Sequence, residues 1–124
     1  MKIKIDSLDR LFSEYIRCRA IAKVGGCERC GARKTSYKQL QCSHFIGRAN
    51  KVVRWDEDNA WGLCFGCHQY LGSHPLEHVE FVKHLLGEKE FEMLQVRSQI
   101  VYKPNREAIR LYLRQKLEEL NGHF

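Results

Sequence analysis

The chain has 124 residues, enough for one modest core, and its 21 lysines and arginines outnumber 15 acidic residues to give a net charge of +6. That balance favours an acidic partner, nucleic acid first among them, over a neutral one. No apolar run approaches the roughly 20 residues that span a bilayer, and Met1-Lys-Ile-Lys-Ile-Asp-Ser7 leads into no uninterrupted apolar stretch, so neither a membrane role nor a signal peptide is read.

A cytoplasmic protein is therefore expected. Its six cysteines, in a reducing compartment, bind metal or are buried rather than joined in disulfides. We read one domain over 1–124, with a core over 24–74 and a C-terminal helical part over 75–124.

Residues 7–22 form the first predicted helix. Leu8, Leu11, Phe12, Tyr15 and Ile16 recur at helical spacing behind a Ser7 cap, and Gly25 and Gly26 end it. Arg10, Arg17, Arg19 and Lys23 fall mostly off that stripe and read as a solvated face. Cys18, with no cysteine three residues away, reads as a buried small hydrophobe.

The composition then changes. Two β-prone stretches, Leu40 to Phe45 and Ala60 to Cys64, flank a basic loop containing Gly47, Arg48, Asn50 and Lys51. Further on, Ser73-His-Pro75 starts a helix carrying Leu76, Val79, Val82, Leu85 and Leu86, which Gly87 ends. Helices over 88–99 and 105–120 follow, the latter with Ala108, Ile109, Tyr112, Leu113, Leu117 and Leu120 on one stripe. An α+β fold is predicted.

Cys27-Glu-Arg-Cys30 and Cys64-Phe-Gly-Cys67 are paired C-x-x-C knuckles. Four thiolates so arranged close a tetrahedron around Zn²⁺ and leave no open position, which marks a structural site. Residues 31–63 between them exceed the roughly 15 to 20 residues of a simple zinc ribbon. The ion would pin both ends of this insertion. Cys42, unpaired within it, reads as a packed strand residue.

His44, Asn59 and His68 stand at the edges of this scaffold. An imidazole with an unperturbed pKa of about 6.5 can take a proton from water near neutral pH. Asn59 could hold that ring through one nitrogen, and His68 could present a neutral nitrogen to a divalent cation.

The run Cys27-x-x-Cys30, Cys42-Ser-His44-Phe-Ile, and Asp58-Asn59-Ala-Trp-Gly-Leu-Cys64-x-x-Cys67-His68 resembles the HNH endonucleases, the ββα-metal or His-Me finger family. Arg54 to Asn59 and Tyr70 to Ser73 are more particularly similar to the phage-associated recombination nucleases of the NinG and Rap type. The resemblance covers residues 10 to 75.

It implies a zinc-braced ββα core flanked by terminal helices, with His44 as general base, Asn59 orienting it and His68 binding the catalytic metal. It also implies DNA phosphodiester hydrolysis with Mg²⁺ or Mn²⁺, leaving 5′-phosphate and 3′-hydroxyl ends. In that family the position before the base is usually an acidic or histidine metal ligand; here it is Ser43, a poor ligand for a hard cation.

His74 is the first alternative ligand, and the triplet Asp56-Glu57-Asp58 another, although acidic turn residues are more often solvent-facing. His78, His84 and His123 have no ligand-like setting, which leaves surface or packing roles.

For the substrate, Arg48, Lys51 and Arg54 would neutralise phosphates beside the chemistry. Lys103, Arg106, Arg110 and Arg114 form a second basic group, the last three along one face, although a solvated face reads equally well. No base-reading element is present, so little sequence preference is expected. Trp55 and Trp61 could stack on bases but more often fill a small core. The rival readings are a non-catalytic zinc-stabilised module that binds nucleic acid or protein, and a structure-selective recombination nuclease.

Overall fold

The computed structural model describes residues 3–121. It is a mixed α and β fold in which five helices surround a two-stranded sheet. The first helix, α1 (Ser7–Val24), opens on a reciprocal cap: Asp9 N–H donates to the Asp6 carboxylate at 3.0 Å, and Asp6 N–H donates to Asp9 at 2.9 Å. The cap is thus Asp6 rather than Ser7. Gly25, at φ 71°, takes the left-handed conformation that ends the helix.

Strands β1 (Gln41–His44) and β2 (Ala60–Leu63) pair antiparallel, with Ser43 opposite Trp61 and His44 opposite Ala60. Cys64 caps α2 (Phe65–Ser73) instead of extending β2. Helices α3 (Pro75–Leu86), with Pro75 in its first turn, and α4 (Glu88–Gln99) follow, Gly87 lying between them. The last helix is α5 (Arg106–Asn121).

The residues sort into two cores on opposite sides of the hairpin. Trp61, Leu63, Leu71, Val82 and Phe91 form one, so α3 and α4 complete it. Leu8, Phe12, Ile16, Ala60, Leu113 and Leu117 form the other, where α5 lies on α1 and where Cys18 is buried as expected. Trp61 is buried and Trp55 is packed against the second core, so neither ring is a free stacking platform. Close approach of α1 to β2 requires Gly62: a Cβ there would lie 2.6 Å from the Ala20 methyl.

One buried ion pair ties the insertion to α1. Arg54, 8% exposed, donates through Nε to Asp9 at 2.9 Å and through Nη2 both to that carboxylate and to the Lys4 carbonyl. Trp55 Nε1–H adds a bond to Asp9 at 3.0 Å. Burial pushes the Asp9 carboxyl up, but these donors and the guanidinium charge outweigh it and hold the group down at about 2.

Replacing Arg54 by Ala leaves a buried carboxylate without its counter-charge, and we expect a loss of about 3 to 5 kcal/mol in urea denaturation near neutral pH. In the wild type, this contribution is present above the ordinary aspartate value of 3.8 and is lost as the pH falls towards about 2. An unchanged urea midpoint in the variant would show that the pair adds no stability.

Candidate functional site

The cysteine cluster is assembled by a turn and a helix start. Gly26 pairs with Arg33 across the turn after α1, and a Cβ at Gly26 would collide with the Ala32 carbonyl oxygen. That turn carries Cys27 and Cys30, while Cys64 and Cys67 sit at the cap and first turn of α2.

The four sulfurs lie within 4.8 Å of one another, Cys30 Sγ and Cys64 Sγ being 3.8 Å apart. Tetrahedral Zn–S bonds of about 2.3 Å put sulfurs about 3.8 Å apart, so the cluster is compatible with a structural zinc. Burial pushes the Cys27 thiol up, yet backbone N–H donors from Cys30, Cys64 and Arg29 bring it down to about 7. Burial and the other sulfurs push Cys67 up to about 12 in spite of Arg29, whose Nη1 donates to Cys67 Sγ at 3.3 Å. Four sulfurs this close discharge their protons together only against a cation.

His44 lies at the inner end of β1. Its Nε2 is 2.9 Å from the Arg54 carbonyl, and because a carbonyl only accepts, Nε2 carries the proton of the neutral ring. The lone pair is left on Nδ1. Phe12 packs against the ring at 5.5 Å between centroids. Burial lowers the pKa of His44, and the Arg48 charge adds to this, against the opposing effects of the Arg54 carbonyl and Asp9.

The Asn59 side chain makes no hydrogen bond to the imidazole. Fully buried, it accepts from Ile46 N–H at 2.8 Å and donates to the carbonyls of Ile46 at 2.8 Å and Val53 at 3.0 Å. It therefore ties together the ends of segment 46–53 within the loop between the strands, and the hydrogen bond expected at the ring is made by the Arg54 carbonyl instead.

His68, in α2, lines the same cleft as His44. The cleft measures about 750 Å³; α1 supplies Asp9, Arg10, Ser13 and Arg17 to its walls, and the insertion supplies Cys42, Gly47 and Arg48. His68 Nδ1 is buried and unpartnered, which leaves Nε2 for the cleft. The two histidines thus share one cavity. Cys42 is a packed strand thiol, pushed up to about 12 by burial.

Other expected ligands lie elsewhere. Ser43 is buried and, by strand alternation, points away from the face shared by Cys42 and His44. His74 is absent from the cleft lining: its ring stacks on Tyr70 at 3.9 Å, and its Nδ1–H donates to the Tyr70 carbonyl at 2.7 Å. Asp56 and Asp58 are paired with Arg97, and Glu57 accepts from Tyr15 at 3.0 Å and from Tyr112 at 2.6 Å. His84 is exposed and joins no cluster, and His123 lies outside the described residues.

The cations are also redistributed. Arg54 is spent on Asp9, and Lys51 is exposed but absent from the cleft lining. On α5, Arg106 pairs with Asp6 at 3.1 Å and covers Trp55, Arg110 pairs with Glu107 at 3.2 Å, and Arg114 is exposed; none lines the cleft.

Arg48 does line it, donating to the Ile3 carbonyl at 3.3 Å. Arg10 and Arg17, read from sequence as a solvated face, join it there. Their spacing of seven, with Ser13 between, puts all three on one face of α1, a signal that becomes decisive only when the opposite wall is known.

A divalent cation in this cleft finds one uncommitted imidazole, His68, and no uncommitted carboxylate, since Asp9 belongs to Arg54. This donor set suits an ion held jointly with oxygens that the protein does not supply, such as water and phosphate.

Among the described residues, no helix is long and apolar enough to cross a membrane. No known protein family, curated protein or solved structure matches the chain.

For the sulfur cluster, elemental analysis of the purified chain should give one zinc per molecule. Cys64→Ser should lose it, along with much of the helical circular dichroism. A metal-free wild type with unchanged melting temperature would remove the structural role.

Proposed function

We propose that the chain is an HNH-type endonuclease, a zinc-braced ββα-metal unit that hydrolyses DNA phosphodiester bonds with little sequence preference. The observation that carries this reading is the shared cleft: His44, with its lone pair on Nδ1, and His68 face one cavity walled by three arginines. The zinc of Cys27, Cys30, Cys64 and Cys67 has no open position and is structural in this reading.

Arg10, Arg17 and Arg48 hold the backbone phosphates. They carry no base information, which fits a weakly specific or shape-selective enzyme. His44 Nδ1 takes a proton from a water as that water's oxygen attacks phosphorus; the bond to the 3′ oxygen breaks with its electron pair, and that oxygen takes a proton from solvent, leaving 5′-phosphate and 3′-hydroxyl ends. The Arg54 carbonyl keeps the ring oriented and stabilises the imidazolium that forms. A divalent ion such as Mg²⁺ or Mn²⁺, held by His68, would supply positive charge to the phosphate and the departing oxygen.

The non-catalytic rival is a zinc-stabilised module that only binds nucleic acid. It is favoured by the absence of an uncommitted carboxylate in the cleft.

Nicking of supercoiled plasmid, measured across divalent ions with a chelator control, separates the two readings. Wild type should cut, and His44→Ala should be slower by about 10²- to 10⁴-fold with its fold and zinc content unchanged. Because burial lowers the His44 pKa, the rate should rise with pH through a midpoint below the ordinary imidazole value of about 6.5 and then level off. Undiminished cutting by His44→Ala removes it from the mechanism; a wild type that binds DNA but cuts with no ion supports the binding module.

A further inference from the structure

Among the described residues, two buried side-chain nitrogens lack a hydrogen-bond partner: His68 Nδ1 and His78 Nε2. Leaving a buried polar atom unsatisfied costs about 1 to 3 kcal/mol, so two such atoms in neighbouring imidazoles call for a common explanation. The rings belong to adjacent elements, His68 to α2 and His78 to the first turns of α3. His78 is half-buried with its ring edge-on to Phe45, 5.1 Å between centroids and at 79°, and Phe45 in turn packs on Phe91 at 5.7 Å. Phe45 directly follows His44. His78 therefore sits behind the end of β1, on the helix that directly follows α2.

We propose that His78 is a positioning residue for His68: one bridging water accepts the proton on His68 Nδ1 and donates its own to His78 Nε2, fixing the His68 tautomer whose unprotonated Nε2 faces the cleft. The bridge satisfies both orphaned atoms, and a water retained inside a protein is held by two or more such polar partners. A histidine that binds a cation through one nitrogen is ordinarily oriented through the other by an acceptor. No carboxylate or backbone carbonyl accepts from His68 Nδ1, so the second imidazole takes that role through water. Sequence alone left His78 with a surface or packing role, because it lies ten residues beyond His68 on a separate helix.

The inference uses the nuclease reading only for what His68 Nε2 then binds; the tautomer itself is independent of that reading. The test is therefore a pair of measurements on the full zinc-loaded chain. Long-range ¹H–¹⁵N correlation with ¹⁵N-histidine should show His68 protonated at Nδ1 and bare at Nε2. In His78→Phe, which fills the space but accepts nothing, that preference should collapse to a mixture of tautomers; His78→Gln, whose amide oxygen can accept, should restore it.

In plasmid nicking, His78→Phe should raise the Mn²⁺ concentration for half-maximal rate by about 10- to 100-fold with little change in the rate at saturation. His78→Gln should lie near wild type. A wild-type His68 protonated at Nε2 overturns the proposal, as does a His78→Phe protein that keeps both the tautomer and the metal dependence. If wild type cuts nothing, the nuclease reading fails, and the ¹⁵N spectrum still decides the role of His78. If His78→Phe does not fold, the spectra of wild type and His78→Gln decide it.

Discussion

Four sulfurs set the frame on which the rest of the chain is arranged. Between Val24 and Leu40 the side chains are mostly polar or charged and Cys27 is among the few that are buried, so this stretch has little apolar surface with which to order itself. A zinc ion held by the four sulfurs would supply coordination energy in place of a core there. The same cluster sits at the outer end of the hairpin, with Cys64 directly after β2 and the Cys27 turn tied to β2 by Glu28 N–H donating to the Gly62 carbonyl at 3.0 Å. Glu28 also accepts from Gly62 N–H at 2.9 Å. The four-cysteine cluster thereby lies where the open end of the hairpin meets the turn after α1 and the start of α2.

The inner end of the hairpin is held by a different device, built wholly from neutral amides and one ion pair. Asn59 closes the loop 46–53 from within, as a peptide group would. Arg54 performs two tasks at once: its guanidinium neutralises Asp9 on α1, and its carbonyl fixes the His44 ring. The consequence is mechanical coupling. The ring that would handle the proton is oriented by the backbone of a residue whose side chain is locked into α1, so the register of the loop on that helix and the tautomer of His44 are set together. A charged group that does this cannot also meet a phosphate, which explains why the most conspicuous arginine of the insertion is withdrawn from solvent.

The parts legible from sequence were those encoded over short distances. The knuckles are fixed by spacing alone, and the helices by apolar recurrence, so cysteines, strands and helix faces emerged with ends displaced by a few residues. What escaped was pairwise and distant. Asp9 and Arg54 lie 45 positions apart. A trace of the pair was present: Asp9 falls three residues before Phe12 and seven before Ile16, so a carboxylate sits on the apolar stripe of α1 and must find a buried cation. The partner of Asn59 carried no such trace, because a buried amide serves equally to hold a ring or a loop. The orientation of Ser43 was legible in strand parity, because the predicted stretch from Leu40 to Phe45 already runs through His44.

The distribution of charge follows from the same pairings. A net charge of +6 says nothing about where the excess lies. Arg97 is shared between Asp56 and Asp58, Arg54 cancels Asp9, and Arg106 meets Asp6, so several arginines near the insertion are committed to internal carboxylates. Arg10, Arg17 and Arg48 have no carboxylate partner among the described residues, and all three line the cleft. Cations set in a concave, low-dielectric wall reinforce one another's field instead of being screened separately, and they draw a polyanion towards the cavity's mouth. The same field opposes a free divalent cation, which a single imidazole is poorly equipped to retain. In the proposed function, a phosphate entering the cleft would reverse that opposition, so that anion and metal ion would each favour the other's binding. Under the proposed nuclease function the cation would be held by the substrate as much as by the protein, and the missing carboxylate would be consistent with that sharing.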